Sequence, residues 1–468
     1  MTQFSALQEA MYAWMVDAAA SLMTDHDARY EGLGLHGWDR DADGIFRNIA
    51  RPIDGWDFRY LRRLQHLASW LTVEKVFQED SRLSLQVDTL VGTIQGGSRV
   101  EAFGLAAHVI PRPGELDRAG EVFEQRYLEL EAYLVADELE FKTIWPVPGL
   151  IVDCMPIELE PDIVLDAMSD SELVTALRTE TVRPLFPNDM LFRAESANRS
   201  CVRYRYRLPK LIGSRGDDAS LRFQELEQRL QDIRATIEES LALVLPEPVM
   251  TAGRFGVSGE QWSPQSGGVS FQQSTMARGT RWRRIEVGGQ SVLELQEVWR
   301  RVSQRGLLGR CKGLALALRR LSYQAQRERP DDELLDIMIA AEALYLTELG
   351  NEPYRGELSY RLALRAAVWA DVPELSLTKR EVLKLMQSAY GTRSAVAHGG
   401  NPKPNIMKIR GEPVELPVLV KATRTVVAEG CRKALAAAAA SDTGWPPDWD
   451  ALILDDPQSS LAADSSDI

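Results

Sequence analysis

The chain has 468 residues and a net charge of −14, with 45% hydrophobic and 26% charged residues, a composition typical of a globular protein of two or three domains. Its four scattered cysteines argue against a disulfide framework or a zinc ribbon, and its five histidines show no ligand spacing, so we expect no metal and no cofactor. The N-terminus lacks a signal peptide and no apolar run reaches the roughly 18 residues that span a bilayer, which favours a cytoplasmic protein without membrane contacts.

The net charge is unevenly distributed along the chain. Residues 278–440 contain 27 Lys and Arg against 18 Asp and Glu, a net charge of +9, so the remainder carries −23. This asymmetry is typical of a basic, polyanion-facing part joined to an acidic one. Solvated faces of unequal sign would give the same count, and both interpretations stay open.

Residues 1–245 predict a mixed α/β domain. The spacing of apolar residues favours helices up to about residue 75. The runs "RLSLQVDTLVGTI", "RVEAFGLAAHVI", "RYLELEAYLVADELEFKTIW" and "GLIVDCMPIELE" are then interpreted as strands separated by turn residues. The alternation in "CVRYRYRLPK" predicts a further strand with Arg203, Arg205 and Arg207 on one face. A long helix with apolar residues at a 3-4 spacing follows and ends before Pro246.

The second half of the chain predicts a different organisation. Residues 246–290 are rich in Gly and Ser and indicate an irregular, partly mobile connector at a domain boundary. Residues 291–440 have helical periodicity throughout. Residues 441–468 form an acidic tail with seven Asp, expected to be partly disordered, although Trp445, Trp449 and Leu452 are suited to docking on the body. The predicted fold class is α+β, a mixed region followed by an all-α bundle.

Two of the C-terminal helices carry unusual polar residues. Glu342 lies within the apolar stripe of "DDELLDIMIAAEALYLTEL", and a buried carboxylate needs a partner. The other helix begins with a T-x-x-E capping box at Thr378 and Glu381. Its inward spacing continues to Arg393, and His398 lies in the last turn before a Gly-Gly stop.

The spacing of Arg393 and His398 permits two interpretations. An inward arginine paired with Glu342 and a histidine that ends a helix are both common structural features. Alternatively, the negative end of the helix dipole favours a protonated imidazole, which suits His398 to proton transfer. Five residues advance a helix by about 7.5 Å and turn it by about 140°, so the two side chains do not share one helix face. Acting together, they need a bent last turn or a junction such as a two-fold dimer interface.

Three segments in this order resemble the Apea-like branch of the HEPN superfamily over about residues 300–440. They are "LALALRRLSYQAQRERPDDELLDIMIAAEALYL", "ELSYRLALRAAVWA" and "AYGTRSAVAHGG". The resemblance implies a four- or five-helix bundle that forms a homodimer and acts as a metal-independent endoribonuclease. The R-x(4)-H motif of the family maps onto Arg393 and His398, and Ser394 occupies the place of its polar residue. The resemblance further implies a toxic effector in bacterial antiviral defence of the abortive-infection type.

The chemistry of RNA cleavage fits these residue types. A ribose 2′-OH attacks the adjacent phosphate, which requires proton transfer by a group such as His398. A guanidinium such as that of Arg393 presents a fixed fork of donors to the phosphate oxygens. Glu342 is suited to holding Arg393 in place. Tyr390 is suited either to stacking on a base or to packing.

RNA binding would further need basic and aromatic surface, and the sequence contains three candidates. Arg281, Trp282, Arg283 and Arg284 lie in "RGTRWRR", Arg203 and Arg205 lie in "VRYRYR", and Lys403 follows the R-x(4)-H motif. Interleaved arginines and aromatics suit single-stranded RNA. An ordinary solvated loop or strand is the alternative for each.

Two functional hypotheses from different classes follow. In the first, the protein is a ribonuclease whose N-terminal domain senses a phage or nucleic-acid trigger or restrains the activity. In the second, the HEPN-like bundle is a non-catalytic dimerisation or RNA-binding module, and the N-terminal domain carries the function. Cleavage of RNA in EDTA separates the two.

Overall fold

The structure is a computed structural model of the chain. It describes residues 2–25, 28–33, 37–40, 46–49, 52–56, 58–87, 90–93, 96–152, 155–169, 172, 199–212, 218–251, 253–258, 262, 264, 270–273, 285–347, 357–400, 406–441 and 444–454. Within these residues the protein is a mixed α+β fold with an antiparallel sheet and a helical C-terminal region.

Short helices around an aromatic core form the first part of the chain. The six helices here are α1 (Ser5–Thr24), α2 (Phe58–Arg63), α3 (Ala68–Glu79), α4 (Ser81–Ser84), α5 (Ala102–Ala106) and α6 (Ala119–Val135). Trp14 of α1 is fully buried, and its ring centre lies 5.2 Å from that of Trp70 and 5.9 Å from that of Phe103. The indole N–H of Trp14 donates to the Leu64 carbonyl at 3.2 Å, so the large ring is buried with its one donor satisfied.

Two predictions for this region are wrong. Residues 29–56 were expected to be helical, but they contain the strands β1 (Arg29–Leu33), β2 (Gly37–Arg40), β3 (Phe46–Ile49) and β4 (Pro52–Trp56). The glycines of "EGLGLHGWDRDADG" disfavour a helix there. Conversely, α5 and most of α6 were expected to be strands. In α6 the buried Phe123, Tyr127, Leu130 and Leu134 recur every three to four residues, a helical period that outweighs the apolar runs.

A six-stranded antiparallel sheet lies in the middle of the chain, in the order β14-β13-β7-β11-β10-β9. The strands from β5 onwards are β5 (Leu90–Thr93), β6 (Gly96–Arg99), β7 (Glu138–Pro146), β8 (Leu150–Val152), β9 (Ile157–Glu160), β10 (Ile163–Ala167), β11 (Ser200–Pro209), β12 (Leu211–Ile212), β13 (Gly253–Ser258), β14 (Ser270–Gln273) and β15 (Ile285–Val287). The strand predicted from the alternation in "CVRYRYRLPK" is confirmed as β11, which pairs with β7 from Cys201 to Pro209.

The predicted connector is not irregular throughout. Strand β13 pairs with β7, and β14 pairs with β13, so both extend the sheet from within residues 246–290. The runs "RFGV" and "SFQQ" are too short to be identified locally. Their pairing depends on β7, more than 100 residues earlier in the chain, which periodicity does not reveal.

Helices from residue 218 onwards complete the fold. They are α7 (Asp218–Val244), α8 (Gly289–Val302), α9 (Arg305–Arg310), α10 (Lys312–Tyr323), α11 (Pro330–Tyr345), α12 (Leu358–Trp369), α13 (Lys379–Ala397), α14 (Leu416–Ala440) and α15 (Trp449–Leu454). A two-stranded hairpin of β16 (Lys408–Ile409) and β17 (Glu412–Pro413) joins α13 to α14. The helix expected over residues 307–327 is broken at Cys311, which separates α9 from α10.

The bundle is closely packed around the alanine-rich helix α14. Gly430 of α14 lies against α11, where an added Cβ would come within 2.0 Å of the Tyr345 hydroxyl, so this position requires glycine. Trp445 and Trp449 dock on the same side, with exposures of 8% and 5%, and their ring centres lie 5.1 Å and 6.0 Å from that of Trp369. The expected docking is confirmed for these two tryptophans and is wrong for Leu452, which is 37% exposed.

Helix α7 connects the sheet to the bundle. Its Leu230 and Ile237 are buried against the sheet, whereas Ala242 and Leu243 are buried in the bundle core. Arg432 of α14 donates to the Leu243 carbonyl at 2.9 Å, so a guanidinium caps the last turn of α7. In the part of the chain that the structure describes, no helix is long and apolar enough to cross a lipid bilayer.

Candidate functional site

Helix α13 carries the Arg393 and His398 motif, and its N-terminus is capped as expected. The Thr378 hydroxyl accepts a hydrogen bond from the Glu381 N–H at 3.3 Å, and the Glu381 carboxylate accepts one from the Thr378 N–H at 2.8 Å. The Thr378 N–H and the Thr378 hydroxyl both donate to the Glu381 carboxylate, and these bonds lower the pKa of Glu381. The predicted capping box is confirmed, and it fixes where the helix begins.

The C-terminus of α13 ends in a Schellman motif. Gly399 has a φ of 73°, its N–H donates to the Val396 carbonyl at 2.9 Å, and the Gly400 N–H donates to the Ala395 carbonyl at 2.9 Å. The left-handed conformation at Gly399 is the one that glycine adopts without strain. His398 is therefore the helix C-cap, exposed to solvent, and its backbone N–H donates to the Ser394 carbonyl at 3.2 Å.

Arg393 lies where the buried face of α13 meets solvent. Val382, Met386 and Ala389 are buried on this face, as expected. Arg393 continues the series, and its side chain is 26% exposed. Its Nη2 donates to Oε2 of Glu342 on α11 at 3.3 Å, so the ion pair expected between these residues is present. Glu342 is 29% exposed, so its carboxylate is half-buried rather than fully enclosed.

Tyr390 and an unused donor complete the surroundings of the guanidinium. The Tyr390 ring packs against the bundle core, and the Arg393 Cζ lies 5.8 Å from its centre, within the range of a cation–π contact. The Arg393 Nε is buried and has no hydrogen-bond partner among the described residues. Because a guanidinium has five N–H donors, this one retains donors for an anion.

Arg393 and His398 differ in their exposure. The buried face of α13 ends at Thr392, beyond which Val396 is half-buried and Ala397 is exposed. Ser394 is half-buried next to Arg393. The two motif residues therefore occupy the same end of one helix, one against α11 and the other in solvent.

Ser388 is a residue that the sequence pattern did not single out. Its hydroxyl donates to the Ile406 carbonyl at 2.5 Å and accepts from the Lys408 N–H at 3.0 Å. These two bonds hold the chain that follows the motif against α13. Lys403, a predicted RNA contact, lies outside the described residues.

Of the other predicted RNA contacts, Arg203 is buried, Arg205 is exposed and the rest lie outside the described residues. Arg203 was expected on an exposed basic face, and this is wrong, since it is 8% exposed and donates to Asp166 at 2.6 Å and to Glu172 at 2.8 Å. Although burial opposes its charge, the hydrogen bonds that Arg203 donates to these carboxylates raise its pKa above the ordinary value. Arg205 and Arg207 are exposed on β11. The remaining predicted contacts, Arg281, Trp282, Arg283 and Arg284, lie outside the described residues.

Among the described residues, no three His, Cys, Asp or Glu side chains approach closely enough to hold a metal ion. No protein-family model, no curated protein and no solved structure matches the chain. The candidate site is therefore defined by the sequence motif and by the geometry at the end of α13.

Proposed function

We propose that the protein is a metal-independent endoribonuclease of the HEPN type, with Arg393 and His398 as its catalytic residues. The observation that carries the proposal is the state of Arg393. Its guanidinium is held by Glu342 and is partly open to solvent, at the same helix end as the exposed His398.

The reaction needs only groups of the protein and of the RNA. The ribose 2′-oxygen attacks the adjacent phosphorus while an imidazole accepts its proton, and the bond from phosphorus to the 5′-oxygen breaks. The products are a 2′,3′-cyclic phosphate and a 5′-hydroxyl, whose proton comes from an imidazolium. Arg393 offers donors to the non-bridging oxygens, where negative charge develops in the transition state.

The active form in this proposal is a homodimer through the C-terminal bundle. One imidazole accepts a proton while another donates one, and two copies of the exposed His398 supply both. The net charge of +9 over residues 278–440 supports a polyanion as substrate. Light scattering should give twice the chain mass of 52.4 kDa.

The biological role we propose is that of a toxic effector in antiviral defence, acting in the cytoplasm. The N-terminal region would sense a phage or nucleic-acid trigger. Support for communication between the two parts comes from α7, which is buried against the sheet at one end and capped by Arg432 of the bundle at the other. Induced expression should stop growth for the wild type and not for His398→Ala.

The experiment that tests the proposal is cleavage of end-labelled RNA in excess EDTA. Wild type should cleave, and Arg393→Ala and His398→Ala should each lose most of the activity. Two matched variants should keep it, His66→Ala at an exposed histidine and Arg329→Ala at an exposed arginine paired with Asp331. Activity that disappears in EDTA, or that survives in both motif variants, contradicts the proposal.

A second candidate is a non-catalytic dimerisation or RNA-binding module. It is favoured by the contacts of Arg393 with Glu342 and Tyr390, which suit a structural arginine as well as a catalytic one. In that case wild type and both motif variants would bind labelled RNA equally and leave it intact.

A further inference from the structure

A cavity of about 780 Å³ lies at the junction of the sheet, α7 and the bundle. Its size is within the range of about 300–1,000 Å³ found for small-molecule sites. Prolines contribute much of its wall: Pro148, Pro246, Pro248, Pro330 and Pro417. Because each proline has a fixed φ, the backbone at these positions is restricted before a ligand binds, which lowers the entropic cost of binding.

Gln324 is one of the residues that line this cavity, and its side-chain amide has no partner among the described residues. The residue is 1% exposed, and neither its Nε2 nor its Oε1 has a hydrogen-bond partner among the described residues. An unsatisfied buried polar group costs about 1–3 kcal/mol, and buried amides in proteins are normally paired. A ligand with an adjacent acceptor and donor would satisfy both ends of this amide together.

Arg424 brings a second unsatisfied donor to the same cavity. It is 5% exposed, and its two Nη atoms donate to the Leu245 and Ala242 carbonyls at 2.9 Å and 2.6 Å. Its Nε has no partner among the described residues. Burial, aided by Arg432, lowers the pKa of Arg424 to about 10, so the group is still charged at neutral pH.

The cavity is lined by equal numbers of acidic and basic residues. Three carboxylates, those of Glu247, Glu328 and Glu333, face three cations, those of Arg327, Lys421 and Arg424. Such a lining gives no net attraction to a polyphosphate or to a polycation. It suits an uncharged ligand, while the apolar Val249, Met250 and Ile285 provide surface for a flat ring.

We propose that this cavity binds an uncharged planar heterocycle with neighbouring hydrogen-bond donor and acceptor atoms, a nucleobase carried by a nucleoside. The Gln324 amide pairs with the edge of the base, as Gln and Asn side chains do with adenine in DNA. Ring faces pack on the prolines, and the Arg424 Nε donates to a further acceptor. This site is separate from Arg393 and His398 and does not depend on ribonuclease activity.

The test is calorimetric titration of the full chain with adenosine, guanosine, cytidine and uridine. At least one should bind with a Kd at or below about 1 mM and should raise the melting temperature. Its 5′-monophosphate should bind no more tightly, because the charges of the lining cancel. Ribose alone should not bind.

Two variants make the test specific to Gln324. Gln324→Leu, which removes the unpaired amide, should weaken binding about tenfold or more. Gln326→Leu, on the same turn but away from the cavity, should leave the Kd unchanged. Ala325→Phe should block the cavity to every nucleoside. Failure of the folded wild type to bind any of the four, or equal binding by Gln324→Leu, would overturn the proposal.

Discussion

Arg393 of α13 and Glu342 of α11 form an ion pair across two helices, with the Arg393 Nη2 3.3 Å from the Glu342 Oε2. Each side chain is more than a quarter exposed, at 26% and 29%, so the pair contributes only about 0–1 kcal/mol to stability. Its main effect is on orientation, because it fixes the direction of the Arg393 guanidinium.

Glu342→Gln should therefore change activity more than stability. We expect cleavage of RNA to fall about tenfold, since a misdirected guanidinium stabilises the transition state less well. The melting temperature should stay close to that of the wild type. Glu412→Gln, at an exposed glutamate of β17, is the matched control and should cleave normally. Equal rates in the two variants would show that Glu342 does not position Arg393.

Alanine substitutions of the two glycines that flank the motif, Gly391 and Gly399, should change the free energy of unfolding in opposite directions. Gly399→Ala forces a Cβ onto a residue with a φ of 73°, and should destabilise the protein by about 1 kcal/mol and reduce cleavage by shifting His398. Gly391→Ala lies within α13, where the new Cβ would be 4.0 Å from Ile406, and should stabilise by about 0.5–1 kcal/mol. Urea unfolding of both variants measures the two signs. A stabilising Gly399→Ala would rule out the Schellman motif.

The docked tail should contribute a large part of the stability of the bundle. Trp449 is 5% exposed, and its ring centre lies 6.0 Å from those of both Tyr345 and Trp369. Trp449→Ala should cost about 3–5 kcal/mol in the free energy of unfolding. Leu454→Ala, on the same helix but 79% exposed, should change it by less than about 0.5 kcal/mol. Similar urea midpoints for the two variants would show that the tail is not docked in solution.

The raised pKa of Glu239, on α7, predicts that the stability of the protein depends on pH. Burial raises the pKa of Glu239 from 4.5 to about 7, against the attraction of Arg319 and with added repulsion from Glu238. The folded state thus holds this proton more tightly than the unfolded state, so the contribution to stability is complete below pH 4.5 and is lost as the pH rises through 7.

Glu239→Gln should remove this dependence. Because Glu239 keeps some contact with solvent, we expect the variant to be about 1–2 kcal/mol more stable than the wild type at about pH 8, and the difference to shrink towards acid pH. Glu294→Gln, at an exposed glutamate of α8, should show no such trend. If the wild type became more stable relative to the variant as the pH rises from 5 to 7, this would contradict the direction of the pKa shift.

Features set by local spacing could be predicted from the sequence. The Thr378–Glu381 capping box and the stop at Gly399 depend on residues within one or two turns. The pairing of Arg393 with Glu342 followed from the inward positions that the two residues occupy in their amphipathic helices. In each case a period of 3.6 residues is sufficient to place the side chain.

Features that depend on distant contacts could not be predicted. Arg203 alternates with apolar residues as an exposed arginine would, but Asp166, 37 residues away, pairs with it and buries it. Arg424 reaches the carbonyl of Leu245, a partner 179 residues away. Periodicity identifies the faces of an element and does not identify what covers them.

In the proposed mechanism, Arg393 and His398 cleave RNA through attack by its 2′-OH. The most direct measurement is the chemical identity of the new ends formed in EDTA, on an RNA and on the same RNA with a single 2′-deoxy residue at the cleavage site. We expect a 2′,3′-cyclic phosphate and a 5′-hydroxyl from the first, and no cleavage of the second at that position. A 5′-phosphate, or cleavage next to the 2′-deoxy residue, would contradict the proposed mechanism.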